Sequence, residues 1–210
     1  MSNKDFNKVV FYDLETANLT PRNYIVTLAY IYYERGKEPI VGQIKCNPDY
    51  QISKQATAVN GIDNKMAKDW PLFPEVWPSI EPYFRDSVWI GYNSNSFDQA
   101  GMRLEFKRYG CKEPHHWNLD VMQIAKRMIP KGTTQNYKLI TMCKHFGIEG
   151  DNFHTSDFDT WGTKEVYFKL KKMNKDSDGL YDELFEPIEI DGEYTQTPPP
   201  CVVDEDDFNY

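Results

Sequence analysis

The chain has 210 residues, 40% hydrophobic and 15% aromatic, with a formal net charge of −8. That length and apolar content suit one sizeable domain with its own core and a tail. No apolar run approaches the length of a membrane span, and residues 1–8 are too polar for a secretory signal, so a cytoplasmic protein with no membrane partner is expected.

Cys46, Cys111, Cys143 and Cys201 lie far apart, with no zinc-like spacing, and read as reduced thiols. The acidity is uneven. Residues 171–210 hold 12 of the 32 acids and 3 of the 24 bases, leaving residues 1–170 with 20 acids and 21 bases, a body of +1. A near-neutral body argues against tight, backbone-driven duplex binding, yet not against a polyanion bound with help from metal ions.

Residues 8–12 are the first expected strand. Asp13 and Glu15 follow, separated by one residue, and side chains at i and i+2 of a strand share a face. Two carboxylates held together repel, whereas a divalent cation between them turns the repulsion into a set of hard oxygen ligands. A solvated acidic turn at a strand end explains the same three residues equally well in isolation.

Residues 23–33 and 39–46 are rich in β-branched and aromatic side chains and extend the first strand into an antiparallel meander, with a turn at 34–37. Residues 47–72 are polar and broken by Pro48, Gly61 and Pro71, with room for a short helix at 53–59 or 64–68. Residues 73–84 have helical apolar spacing, interrupted by Pro78 and Pro82. A short apolar strand at 87–92 leads through a polar loop into a helix at 97–109. That helix opens on Asp98, an acid suited to a helix N-terminus in any protein.

Further helices are expected at 118–128, at 137–146 with Gly147 as its C-terminal cap, and at 157–172 with Val166, Tyr167 and Leu170 inward. The last opens with Asp157 as cap and Asp159 in its first turn, five residues after His154. Strands first, then a strand–helix crossover, then helices: this is an α/β fold built on a mixed sheet. The body is expected over 1–172 and an acidic extension over 173–210. Within that extension 174–179 is a polar hinge and 180–194 a hairpin or extended segment. The proline-containing, acidic end at 195–210 is expected to be disordered.

In combination these motifs resemble the DEDDh branch of the DnaQ-like 3′→5′ exonucleases. The matching residues are Asp13 and Glu15 in FYDLET, Asp98 in SFDQ, and His154 with Asp159 in HTSDFDT. Ala58-Val59-Asn60-Gly61-Ile62, Asp120 and the stretch 136–148 fit the intervening segments, so the resemblance covers about residues 8–170. Two positions depart from the family pattern. Ala17-Asn18 stand where Thr-Gly is common, and Ser94 stands where an Asn often precedes the second-motif Asp. The stretch from Gly91 to Asp98 looks more like the proofreading domains of family B polymerases. Thr155 stands where the alternative third motif has Tyr, which leaves the His type.

The resemblance implies an RNase H-like five-stranded sheet flanked by helices, with Asp13, Glu15, Asp98 and Asp159 as ligands of two Mg²⁺ or Mn²⁺. It implies His154 as general base and hydrolysis of the terminal phosphodiester to nucleoside 5′-monophosphates. Leu14, Thr16, Ala17, Asn95 and Phe97 are the expected substrate contacts, with Tyr92 and Trp161 as further aromatic candidates. Single-stranded 3′ ends are the expected partner, DNA before RNA. The acidic tail is expected to act as a solubilising end, with a protein-docking peptide as the sharper reading. The competing readings are a catalytically silent binding or scaffold module on the same fold, an RNA-specific exoribonuclease, and another two-metal phosphoesterase.

Overall fold

The computed structural model describes residues 6–18, 24–149 and 155–190. His154, the start of the second expected strand at Asn23, Cys201 and the expected disorder of 195–210 lie outside the described residues.

The N-terminal meander forms as its sequence dictates. β1 (Lys8–Thr16), β2 (Ile25–Glu34) and β3 (Ile40–Lys45) are successive antiparallel strands. β2 is buried on both faces over Ile25–Tyr32, which is why its sequence runs apolar without alternation. Both short helices compatible with residues 47–72 form: α1 (Lys54–Asn60), capped by Ser53, and α2 (Asn64–Ala67), capped by Asp63.

α3 (Phe73–Phe84) survives Pro78 and Pro82 for a simple reason. The two prolines are four apart, so they share one face, and that face is solvent-exposed. Carbonyls left without an N–H partner there lie on the side open to solvent, while Phe73, Trp77, Ile80 and Phe84 bury the opposite face.

β4 (Val88–Gly91) then runs parallel to β1, and α4 (Asp98–Tyr109) crosses to β5 (His116–Asp120), parallel to β4. The expected helix at 118–128 is corrected here. Residues 118–120 belong to a strand, and only α5 (Val121–Met128) is helical, with Asp120 as its N-cap. α6 (Leu139–His145) and α7 (Ser156–Asp176) follow, the latter capped at Thr155 rather than Asp157 and extending past residue 172.

The expected five-stranded sheet is also corrected. β6 (Ile188–Ile190), preceded by a 3₁₀ turn at Asp182–Phe185, pairs antiparallel with β5 and makes a six-stranded order β3-β2-β1-β4-β5-β6. His115 holds this added edge, with Nδ1 2.8 Å from Asp86 and Nε2 3.2 Å from Glu189.

Two apolar layers cover the sheet. On one face Val10, Tyr12 and Leu14 of β1 pack with the α3 and α4 side chains. On the other, Phe11, Ile31 and Ile90 pack against α5, α6 and α7 through Ile124, Met142, Val166 and Leu170. Among the described residues no helix is long and apolar enough to cross a membrane.

Candidate active site

β1 outruns its parallel neighbour. Val9, Val10 and Phe11 pair with Val88, Trp89 and Ile90, and β4 stops at Gly91. Beyond that point, among the described residues, no strand pairs with the edge of β1 facing β4. The Leu14 N–H on that edge donates instead to Asp98 Oδ1 at 3.2 Å. The first residue of α4 thus takes the place of a missing strand, which brings the second-motif acid to the D-x-E pair.

Alternation puts Asp13 and Glu15 on the same face as Phe11, toward α7. Their cross-strand partners are Ala29 and Thr27. Those two residues also anchor the first turn of α7. Ser156 Oγ lies 3.0 Å from Thr27 Oγ1 and accepts from Gln43 Nε2 at 3.1 Å. Thr160 Oγ1 donates to the Ser156 carbonyl at 2.6 Å and reaches the Ala29 carbonyl at 3.5 Å. The turn carrying Asp159 is therefore pinned over the backs of Asp13 and Glu15. Carboxylate oxygens of Asp13, Glu15 and Asp159 lie within 4.8 Å of one another.

The electrostatics follow from this crowding. Burial, then the charges of Asp98, Asp159 and Glu15, push the Asp13 carboxyl well above the usual carboxylate range. Burial, then Asp159 and Asp98, push Glu15 up to about 8, against a lowering hydrogen bond from Asn60. Burial and the Asp120 charge push Asp98 up to about 8, although the Leu14 N–H opposes the shift. Left to themselves these groups retain protons. Convergent hard oxygens that repel one another once ionised are a donor set whose excess charge a divalent cation offsets. Asp13, Glu15 and Asp159 fit such an ion as direct ligands. Asp98, only 2% exposed, adjoins them through Leu14 and lies outside that three-residue group.

The other expected residues fall as follows. Leu14 is buried in the α3–α4 layer, and Ala17 is fully buried with its N–H donated to the Tyr24 carbonyl. Thr16 is buried and donates its hydroxyl to the Asn18 carbonyl at 2.8 Å. Asn95 is exposed and accepts from Asn118 Nδ2, and Phe97 is half-buried beside Asp98. Tyr92 is a core residue whose hydroxyl donates to the Tyr137 carbonyl, and Trp161 packs half-buried on the α7 layer.

Sequence reasoning missed Asn60 and the role of β5. Asn60 donates to the Thr16 carbonyl at 3.3 Å and accepts from the Ile62 N–H at 3.0 Å, which locks the end of α1 against the D-x-E strand. On β5, His116, Asn118 and Asp120 are all buried, and their strict alternation was the available signal. A groove of about 340 Å³ runs beside them, lined by Asn95, Asp120, Gln123, Arg127 and the returning chain at Glu183 and Ile188.

Comparison with known proteins agrees with this fold. The sequence model of the RNase_T family, described as Exonuclease, matches residues 10–167. The PolC-type DNA polymerase III of Halalkalibacterium halodurans is 25% identical over 201 residues, covering 94% of this chain and 14% of that protein. Its counterpart in Bacillus cereus is 27% identical over 166 residues, covering 78% and 11%. The chain thus spans about a seventh or less of the length of these relatives. Among solved structures, a zinc-bound complex of E. coli exonuclease I with single-stranded DNA superposes with a TM-score of 0.69 at 22% identity, over 85% of this chain and 42% of that one. Exonuclease X bound to 5′-overhanging duplex DNA superposes with a TM-score of 0.60 at 22% identity, over 80% and 93%. Both show the same fold.

Proposed function

Because the chain belongs to the exonuclease family, among the DnaQ-like, RNase H-like 3′→5′ exonucleases, we propose that it removes nucleotides from single-stranded 3′ ends, DNA in preference to RNA, releasing nucleoside 5′-monophosphates. The observation that carries this reading is the convergence of Asp13, Glu15 and Asp159 carboxylates within 4.8 Å, with Asp98 adjoining. A silent binding module gains nothing from that mutual repulsion.

In the proposed mechanism Asp13, Glu15 and Asp159, with Asp98 beside them, would hold two Mg²⁺ or Mn²⁺. Such ions, when bound, would supply an acidified water and positive charge at the scissile phosphate. The carboxylates must be ionised to act as ligands, so their raised proton affinity makes activity fall on acidification. His154 takes the proton of the attacking water, the general-base task for which imidazole is most often used. Thr16 and Ala17 border the acids on β1. Asn95 and Phe97 border Asp98, and Phe97 offers a ring on which a terminal base can stack, worth about 1–3 kcal/mol whatever the base. A near-neutral body supports short single-stranded ends over duplex. The PolC-type DNA polymerases among its relatives, and the DNA held by both superposed exonucleases, support DNA as the polymer.

The test uses 5′-labelled single-stranded DNA and RNA with Mg²⁺, Mn²⁺ or a chelator. The expected result is a metal-dependent ladder shortening from the 3′ end, faster on DNA, and lost in Asp13→Ala and His154→Ala. No shortening of either polymer with any metal overturns the nuclease reading.

A further inference from the structure

We propose that Asp120 and Asn118, two residues apart on β5, are positioning residues for the site: together they tie down both flanks of Asp98 and so set the affinity of the acid cluster for divalent metal. The inference rests on the metal-binding reading above.

β4 and β5 are in register at their ends, with Gly91 paired to Asp120. The chain leaves β4 at Gly91 and must turn to start α4 at Asp98. Asp120 sits where that turn begins, 4% exposed. Its Oδ1 accepts from the Asn93 N–H at 3.0 Å, and its Oδ2 accepts from the Asn95 N–H at 3.2 Å. Asn93 takes a left-handed backbone, φ 59°, a conformation Asn tolerates better than most residues. The two accepted bonds hold the loop in that form. The opposite flank is tied by Asn118. Its Nδ2 donates to Asn95 Oδ1, and its Oδ1 accepts from Gln99 Nε2 at 2.8 Å. Residues three before and one after Asp98 are thus fixed to one strand, and Asp98 itself meets the Leu14 N–H on the other side.

Capping α5 does not by itself explain a carboxylate at position 120. Asp120 Oδ1 also accepts from the Met122 N–H at 3.0 Å, a task that Ser, Thr or Asn performs equally well. A carboxylate here has a cost, because its charge raises the Asp98 carboxyl. What only a carboxylate provides is two acceptor oxygens and no donor, enough to serve the loop amides and the helix amides together. Asn at this position would turn an NH₂ group toward backbone N–H donors. The arrangement parallels the outer partners of metal ligands, whose loss typically weakens metal binding by about 10–100-fold.

The test is calorimetric titration of the full chain with Mn²⁺, alongside amide hydrogen exchange in the metal-free protein. Asp120→Ser keeps an acceptor for α5 and loses the loop. It should weaken Mn²⁺ binding about tenfold or more and speed exchange at the Asn93 and Asn95 amides, with Met122 little changed. Asn118→Ala leaves the α5 cap intact and serves if Asp120→Ser does not fold. It should weaken Mn²⁺ binding in the same direction. A parent that binds Mn²⁺ together with folded variants within twofold of it overturns the positioning role and leaves the nuclease reading standing. A parent that binds no Mn²⁺ overturns both.

Discussion

Asp120 is buried and the Asp13–Glu15–Asp159 group half-buried at the ends of one sheet, and their surroundings are opposite. The amides of Asn93, Asn95, Met122 and Gln123 ring Asp120, and these bonds hold its carboxyl at about 6 against its burial. Around Asp13 and Glu15 the neighbours are other acids, and Glu15 rises to about 8. A fold that needs a buried carboxylate for architecture surrounds it with N–H donors. One that crowds carboxylates against each other leaves a charge deficit for a cation to fill.

The largest expected effect separates the two kinds of acid by activity and stability at once. Asp13→Ala should reduce nuclease turnover by more than about a hundredfold, beyond what loss of an outer partner of a metal site costs. The conservative Asp13→Asn should raise the melting midpoint of the metal-free protein, because it removes a carboxyl that must either hold a proton above its ordinary range or repel its acidic neighbours. Asp120→Ala should do the reverse and lower the midpoint, since each buried amide left without an acceptor costs about 1–3 kcal/mol. Thermal melts of both variants in chelator check the pair of signs. Equal signs would erase the contrast.

A smaller effect reads the same contrast through pH. Folding moves Glu15 and Asp98 up to about 8 from ordinary unfolded carboxylate values near 4. The native state therefore binds more protons than the unfolded chain across that interval. Its stability from these groups is greatest below the interval and declines as pH rises through it. Metal-free melts from pH 5 to 8.5 should show a falling midpoint, and the slope should flatten in Glu15→Gln. Added Mn²⁺ should raise the midpoint more at pH 8 than at pH 6, because only ionised carboxylates are ligands.

The smallest effect tests the anchoring of α7. Thr27→Val removes the hydroxyl facing Ser156 and should cost about 1 kcal/mol of stability while weakening Mn²⁺ binding. Asp159 then sits on a less firmly docked turn. Denaturant melts and a Mn²⁺ titration read the two outcomes. A loss of stability with unchanged metal affinity would show that the turn needs no help from β2.

What the sequence made legible follows from how each element meets water. β1, β2 and β4 announce themselves because the central sheet is buried on both faces and their apolar runs are unbroken. Asp13 and Glu15 were readable from period-two geometry, and Asp98 and Asp159 as acids opening helices. β5 was hidden because its inward face is polar. His116 stacks on Trp89 at 3.6 Å between ring centroids, and Asn118 and Asp120 bind a loop, so hydrophobic periodicity points the wrong way. The same inversion concealed the positioning role. β6 was legible only as a hairpin or extended segment somewhere in 180–194, since three residues of alternating Ile and Glu in acidic surroundings carry too little pattern to place a strand. Tertiary pairing with β5 decides it.

The most direct measurement of the central claim is a crystal of the full chain soaked in Mn²⁺ and recorded at a wavelength where manganese scatters anomalously. The account predicts anomalous density among the Asp13, Glu15 and Asp159 carboxylates, and none at Asp120, whose oxygens the backbone amides occupy. Density at Asp120 with none at the D-x-E strand, or no bound manganese in a crystal that retains the fold, would contradict it.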